Sequence, residues 1–136
     1  MGLTVRTPVQ MRFADVDQFG HVNNTVQQAY FDLGKTDFFG QLWQLTGALQ
    51  RVPAIIVSLK TDFFAQLHYG DELHVETQMV QIGHKSFHLR QSIVRGEEVC
   101  SRSEVVMVIL IYFCIYTNIY FYKSSTPLYM PTSRYL

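Results

Sequence analysis

Charge is scarce in this sequence and carries no bias: eleven basic side chains balance eleven acidic ones, and together they make up 16% of 136 residues. Without a basic excess there is no electrostatic footprint for a nucleic-acid backbone, so no DNA or RNA partner is expected. A chain that is 48% hydrophobic and this weakly charged is not a disordered one. Cysteine is nearly missing. Cys100 and Cys114 stand in neither a CxxC nor a metal-like spacing, which argues against a structural zinc site and reads as buried thiols in a reducing compartment. The amino-terminal residues lack the apolar core of a secretion signal, and the position where myristoylation wants Ser or Thr is Arg6. Cytoplasm is the expected location. The length suits one domain with a real core and leaves little room for two.

What is present is organised around one stretch, Asp15-Val16-Asp17-Gln18-Phe19-Gly20-His21-Val22-Asn23-Asn24. The run Val9-Gln10-Met11-Arg12-Phe13 alternates in character and predicts a strand leading into it. The two asparagines stand where a helix N-cap belongs, before a periodic segment over residues 25–39 in which Val26, Ala29, Tyr30, Leu33 and Phe38 form the apolar side. Gly40 is the expected stop. Gly34, unfavourable inside a helix by about 1 kcal/mol relative to Ala, predicts a close approach of helix to sheet. Residues 41–50 give no clear pattern, and Trp43 is either core or the wall of an acyl pocket.

From Pro53 the period becomes two. Ile55, Val57 and Leu59 open a strand that continues through Phe64, and His68-Tyr69-Gly70-Asp71-Glu72 forms a turn. Leu73, Val75, Thr77 and Met79 then line one face of a strand, and Phe87, Leu89, Gln91 and Ile93 one face of the next. A turn at Arg95-Gly96-Glu97-Glu98 leads into a last run through Val108. The expected class is α+β: a strand, a turn, one helix, then at least four antiparallel strands that must wrap around it.

The turn before the helix concentrates reactive groups. Two carboxylates and an imidazole precede amides that have no intrahelical partner and that sit at the positive end of the helix dipole. Singly, Asp15, Asp17 and His21 read as caps, turn formers or surface groups. Together they are denser than capping requires, and they supply a base and an anion-stabilising backbone for attack on a carbonyl. Asp15 is expected to be structural, bracing the turn or pairing with Arg12.

The D-x-D-x-x-G-H-V-N-N block resembles the signature of the hotdog-fold thioesterases, in the branch of 4-hydroxybenzoyl-CoA thioesterase and the small bacterial acyl-CoA thioesterases. His21-Val22-Asn23-Asn24 is also similar to the H-V-N-N of plant acyl-ACP thioesterases, although Phe19 stands where those carry an Asn. Tyr69-Gly70-Asp71-Glu72-Leu73 matches a frequent Y-G-D-x-L, and the resemblance spans residues 9–108. It implies a hotdog fold, a long central helix wrapped by a curled antiparallel sheet, in homodimers or homotetramers with sites between subunits. It implies that Asp17 is base or nucleophile towards an acyl-CoA or similar acyl thioester, with His21 assisting. Gly20, Val22, Asn23 and Asn24 would bind the substrate through the turn and its amides. Read from the residues themselves, the turn of Gly83, Lys85 and Ser86, with Arg90, is either a contact for coenzyme A phosphates or an ordinary solvated turn, the commoner case. No metal or organic cofactor is expected, coenzyme A entering as part of the substrate. His68, His74, His84 and His88 are expected at the surface. A hotdog hydratase or dehydratase, or a non-catalytic acyl-binding module, are the alternatives; the first usually has a proline between its acid and histidine that is missing here.

The carboxy-terminal part departs from this pattern. The domain is expected to end near residue 108, with residues 109–136 an atypical tail that holds six of the eight tyrosines. Residues 105–122 contain no charge and reach the length of a membrane span, but their β-branched and aromatic content predicts a long strand rather than a span. A change of reading frame produces such a shift, and sequencing the coding DNA tests it.

Overall fold

The computed structural model of the chain describes residues 3–46 and 54–110. Strand β1 (Thr4–Val9) is followed by a single 3-10 turn at Phe13–Asp15, the helix α1 (Asn24–Thr46), and four strands: β2 (Ala54–Phe63), β3 (Leu73–Ile82), β4 (Ser86–Arg95) and β5 (Glu98–Ile109). They form one antiparallel sheet in the order β1-β3-β4-β5-β2, curled about α1, the arrangement that the hotdog resemblance implies. Among the described residues, both outer strands, β1 and β2, therefore have one unpaired edge.

Two expectations fail at element boundaries. The first strand lies at Thr4–Val9, earlier than the predicted 9–13, because Arg12 and Asp15 cap each other across a 3-10 turn and pull the chain out of the sheet; Phe13 is left exposed. The helix does not stop at Gly40. It continues to Thr46 because Phe39 and Leu42 pack on the far core cluster, and packing of this kind outweighs a glycine's propensity. Its buried face agrees with the predicted one in part: Tyr30 and Phe38 are buried and Val26 packs on the core, whereas Ala29 and Leu33 are exposed and Gln27, Phe31 and Gly34 are buried in addition. The close approach at Gly34 is real. A β-carbon there would lie 2.5 Å from Val75 Cγ1 and 3.0 Å from Thr77 Oγ1.

The register divides the interior. Thr77, Gln91, Ser103 and Thr61 face one another across β3, β4, β5 and β2. Gln91 Nε2 donates to the Phe31 carbonyl at 2.7 Å and to Thr77 Oγ1 at 3.0 Å, and Gln28 Nε2 donates to Thr61 Oγ1 at 2.9 Å. This polar row ties helix to sheet and separates two apolar clusters. One, with Val22, Tyr30, Phe31, Leu67, Val75 and Ile93, lies under the start of α1; the other, with Val5, Phe38, Phe87, Leu89, Val105 and Met107, lies under its later turns. Cys100 is fully buried, and burial pushes its thiol pKa up. Cys114 and residues 111–136 lie outside the described residues, as does most of the predicted tail strand. No helix among the described residues is long and apolar enough to cross a membrane.

Candidate active site

The turn between β1 and α1 is held by backbone bonds at both ends. Asp17 N–H donates to the His21 carbonyl at 2.9 Å and Gly20 N–H to the Asp17 carbonyl at 3.0 Å, closing a loop in which Gly20 takes a φ of +82°. Only glycine adopts that conformation without strain, which explains the residue after Phe19. Val22 N–H donates to the Leu67 carbonyl at 2.8 Å and Asn23 N–H to the Asp15 carbonyl at 3.1 Å. Asn23 is the cap: its Oδ1 accepts from Thr25 N–H at 2.9 Å and from the Thr25 hydroxyl at 2.7 Å.

Asp15 is 2% exposed and anchors the turn from below. Its Oδ2 accepts from Arg12 N–H at 2.9 Å and from the Tyr30 hydroxyl at 2.7 Å, and its Oδ1 accepts from the Arg12 guanidinium. Burial alone would raise its pKa, but these donors outweigh it and hold the carboxyl below its ordinary value. Burial and the neighbouring carboxylate in turn push the Tyr30 phenol up. The expected pairing with Arg12 is thus present, with Tyr30 as a partner that the sequence did not reveal.

Asp17 is placed differently. Its Oδ1 accepts from Phe19 N–H at 2.8 Å and weakly from His21 N–H at 3.4 Å, which fixes the carboxylate; Oδ2 accepts no hydrogen bond among the described residues. The side chain lines a cavity of about 350 Å³ together with His21, Val22, Asn23, Asn24 and Gln27 on one side and residues 63–66 on the other. Of the amides expected to face a substrate, those of Val22 and Asn23 are engaged by carbonyls, and Asn24 N–H is the one in this run with no partner among the described residues. The cavity is therefore lined both by Asp17 and by Asn24, the first residue of the helix.

His21 lines the same cavity, and its ring meets that of His68 edge-on, with centroids 5.3 Å apart. The loop that carries His68 is fixed by Asp71, whose Oδ2 accepts from His68 N–H at 2.8 Å and from Arg95 Nη1 at 2.7 Å. Burial would raise the Asp71 pKa, yet the His68 amide and Arg95 lower it. Gly20 shapes the turn and does not line the cavity. Lys85 and Ser86 sit in and after the β3–β4 turn, at the end of β3 away from Leu73, about 30 Å from the site by strand length. The structure does not bring them to Asp17 of the same chain. Trp43 is likewise remote: it stacks on Phe39 and lines a second, apolar cavity of about 500 Å³ with Leu42, Met79, Phe87 and Met107. Among the described residues no group of three or more His, Cys, Asp or Glu side chains is placed to hold a metal ion.

Sequence reasoning missed Gln27, Phe63 and Phe64 as cavity residues. The two phenylalanines could have been found from their position at the end of a strand, whereas Gln27 gives no signal of its own.

Comparison with known proteins adds to this geometry. A family model described as the thioesterase-like superfamily matches residues 11–112. The uncharacterized protein YsmA of Bacillus subtilis (strain 168) is 28% identical over 102 residues, covering 74% of this chain and 68% of its own length. Among solved structures, a predicted thioesterase from Bacillus stearothermophilus is 26% identical with a TM-score of 0.69, covering 79% of this chain and 80% of that one. A thioesterase from Thermus thermophilus, complexed with coenzyme A and Zn, is 27% identical with a TM-score of 0.67, covering 77% and 78%.

Proposed function

The chain belongs to the thioesterase-like superfamily, and on that premise we propose that it hydrolyses an acyl-CoA, or a similar acyl thioester, to a free acid and the thiol. The observation that carries this reading is the cavity that Asp17 and Asn24 both line: among the described residues, the carboxylate is held by one oxygen while the other accepts no hydrogen bond, and the Asn24 amide at the helix start has no partner. Coenzyme A in the related Thermus thermophilus structure supports the choice of thioester.

In the proposed reaction Asp17 takes a proton from water while the water oxygen bonds to the thioester carbon. The carbonyl electron pair moves onto its oxygen, where Asn24 N–H and the positive end of α1 stabilise it. Collapse restores the carbonyl and breaks the C–S bond, and the departing thiolate takes the proton back from Asp17. Direct attack by the carboxylate would give the same products through an anhydride. His21 orients the substrate or assists proton transfer. Coenzyme A enters as part of the substrate, and this route calls on no metal or organic cofactor.

A second copy completes the site in this proposal. Phe63 and Phe64, at and just after the end of β2, line the cavity yet are 42% and 58% exposed, and β2 also exposes Ile56 and Leu59. An unpaired strand with apolar side chains is a template for association. Lys85 and Ser86 lie too far along the sheet for the Asp17 of their own chain, so a role on coenzyme A phosphates belongs to the site of another copy.

The test is release of free thiol from a panel of acyl-CoA substrates, with and without Asp17→Asn. Wild-type turnover and a fall of about 100-fold or more in kcat for the variant are expected, the range of a lost general base. Loss of enoyl absorbance without thiol release would point instead to hydration chemistry, and binding without turnover to an acyl-binding module.

A further inference from the structure

Gln27 occupies the first inward position of α1 that lines the cavity, and it is 3% exposed. Other buried or half-buried carboxamides of this interior are satisfied: Gln91 bonds Phe31 and Thr77, and Gln28 bonds Thr61. Gln27 Oε1 is buried with no hydrogen-bond partner, one of two such side-chain atoms among the described residues; the other, Ser101 Oγ, belongs to a residue that does not line the cavity. An unpaired buried acceptor is costly to keep, so the carboxamide of a cavity-lining residue left in this state is suited to take a donor that arrives with the reaction.

We propose that Gln27 positions the hydrolytic water, an inference that rests on the thioesterase reading. Water brings two O–H bonds. Asp17 Oδ2 accepts the one that breaks, and Gln27 Oε1, turned into the cavity about the soft terminal torsion of its side chain, accepts the one that stays on the product acid. The water oxygen then has a lone pair left for the thioester carbon. Asn24 and Gln27 are three residues apart and so lie on one helix face, which sets the amide that receives the carbonyl oxygen beside the group that holds the water. A carboxamide is neutral at every working pH and does not compete with Asp17 for the proton. The arrangement assigns Asp17 to the base role rather than to covalent attack.

The experiment compares wild type with Gln27→Leu and Gln27→Met, which keep the approximate volume and remove the carbonyl. On an acyl-CoA that the wild type turns over, kcat is expected to fall at least tenfold with KM unchanged within twofold. In added methanol the ratio of methyl ester to acid is expected to rise several-fold, because methanol has one O–H and needs only Asp17. The melting temperature is expected to stay level or rise, since an unpaired buried acceptor is removed. A single turnover in heavy-oxygen water should label the released acid and not the enzyme. Unchanged kcat, parallel losses of hydrolysis and methanolysis, a rise confined to KM, a lower melting temperature, or label in Asp17 would each overturn the proposal. Failure of the wild type to release thiol from any acyl-CoA would instead overturn the thioesterase reading beneath it.

Discussion

Asp15 and Asp17 are two residues apart and chemically identical, yet the fold gives them opposite surroundings. Asp15 is sealed under the turn by Arg12 and Tyr30, while Asp17 lines the cavity and is bonded through Oδ1. The sign of the pH dependence follows from the lowered pKa of Asp15. Its contribution to stability is complete above the ordinary carboxylate value of about 3.9 and is lost as pH falls through the lower folded value. Asp15→Asn is expected to cost about 1.5–3 kcal/mol at pH 7, the range for hydrogen bonds to a charged group. Urea unfolding at pH 7 and at pH 3 checks this, and the difference between variant and wild type should narrow at the lower pH. The sequence made the division of labour half visible. Arg12 three residues before Asp15 hinted at the pair, but Tyr30 comes from a later turn of the helix, and contacts at that separation leave no local pattern.

At the scale of elements, periodicity identified the four strands after the helix and the turns between them, most clearly where buried and less buried positions alternate, as in the first half of β3 and along β5. It failed where tertiary contacts overrule local preference: the helix runs through Gly40, and the first strand precedes the predicted one. It also placed Ala29 and Leu33 on the buried side of the helix, where Tyr30 and Phe38 do lie, and passed over Gln27, which is buried in the first turn. Gly34 was legible from its place inside a helical pattern. Gly34→Ala is expected to destabilise by about 1–3 kcal/mol through overpacking against Val75, outweighing the roughly 1 kcal/mol gain in helix propensity. Pairing it with Val75→Ala should cost less than the sum of the two single changes, a non-additivity that denaturant titration of all four proteins would reveal. Additive costs would place the obstruction elsewhere.

For the whole molecule, the expected course of the sheet was legible, and so was the location of Asp17, His21, Val22, Asn23 and Asn24 around one cavity. The far wall was not, because residues 63–66 come from the other end of a hydrophobic pattern that has no chemistry in it. The exposed edge of β2 carries the remaining expectation. Leu59→Lys places a charge on that edge and should halve the apparent mass in size-exclusion chromatography while lowering turnover. An unchanged mass would show that association, where it occurs, uses another surface.

The antiparallel register also has a spatial corollary. Phe63 faces Ser101 at the reactive end of the sheet, whereas Ala54 faces Ile109 at the other, about 25 Å further along β5. The apolar pocket with Trp43 opens at that end of the sheet, on the side turned away from Asp17. The molecule thus carries two cavities at opposite ends of its sheet, one lined by Asp17 and the other by Trp43.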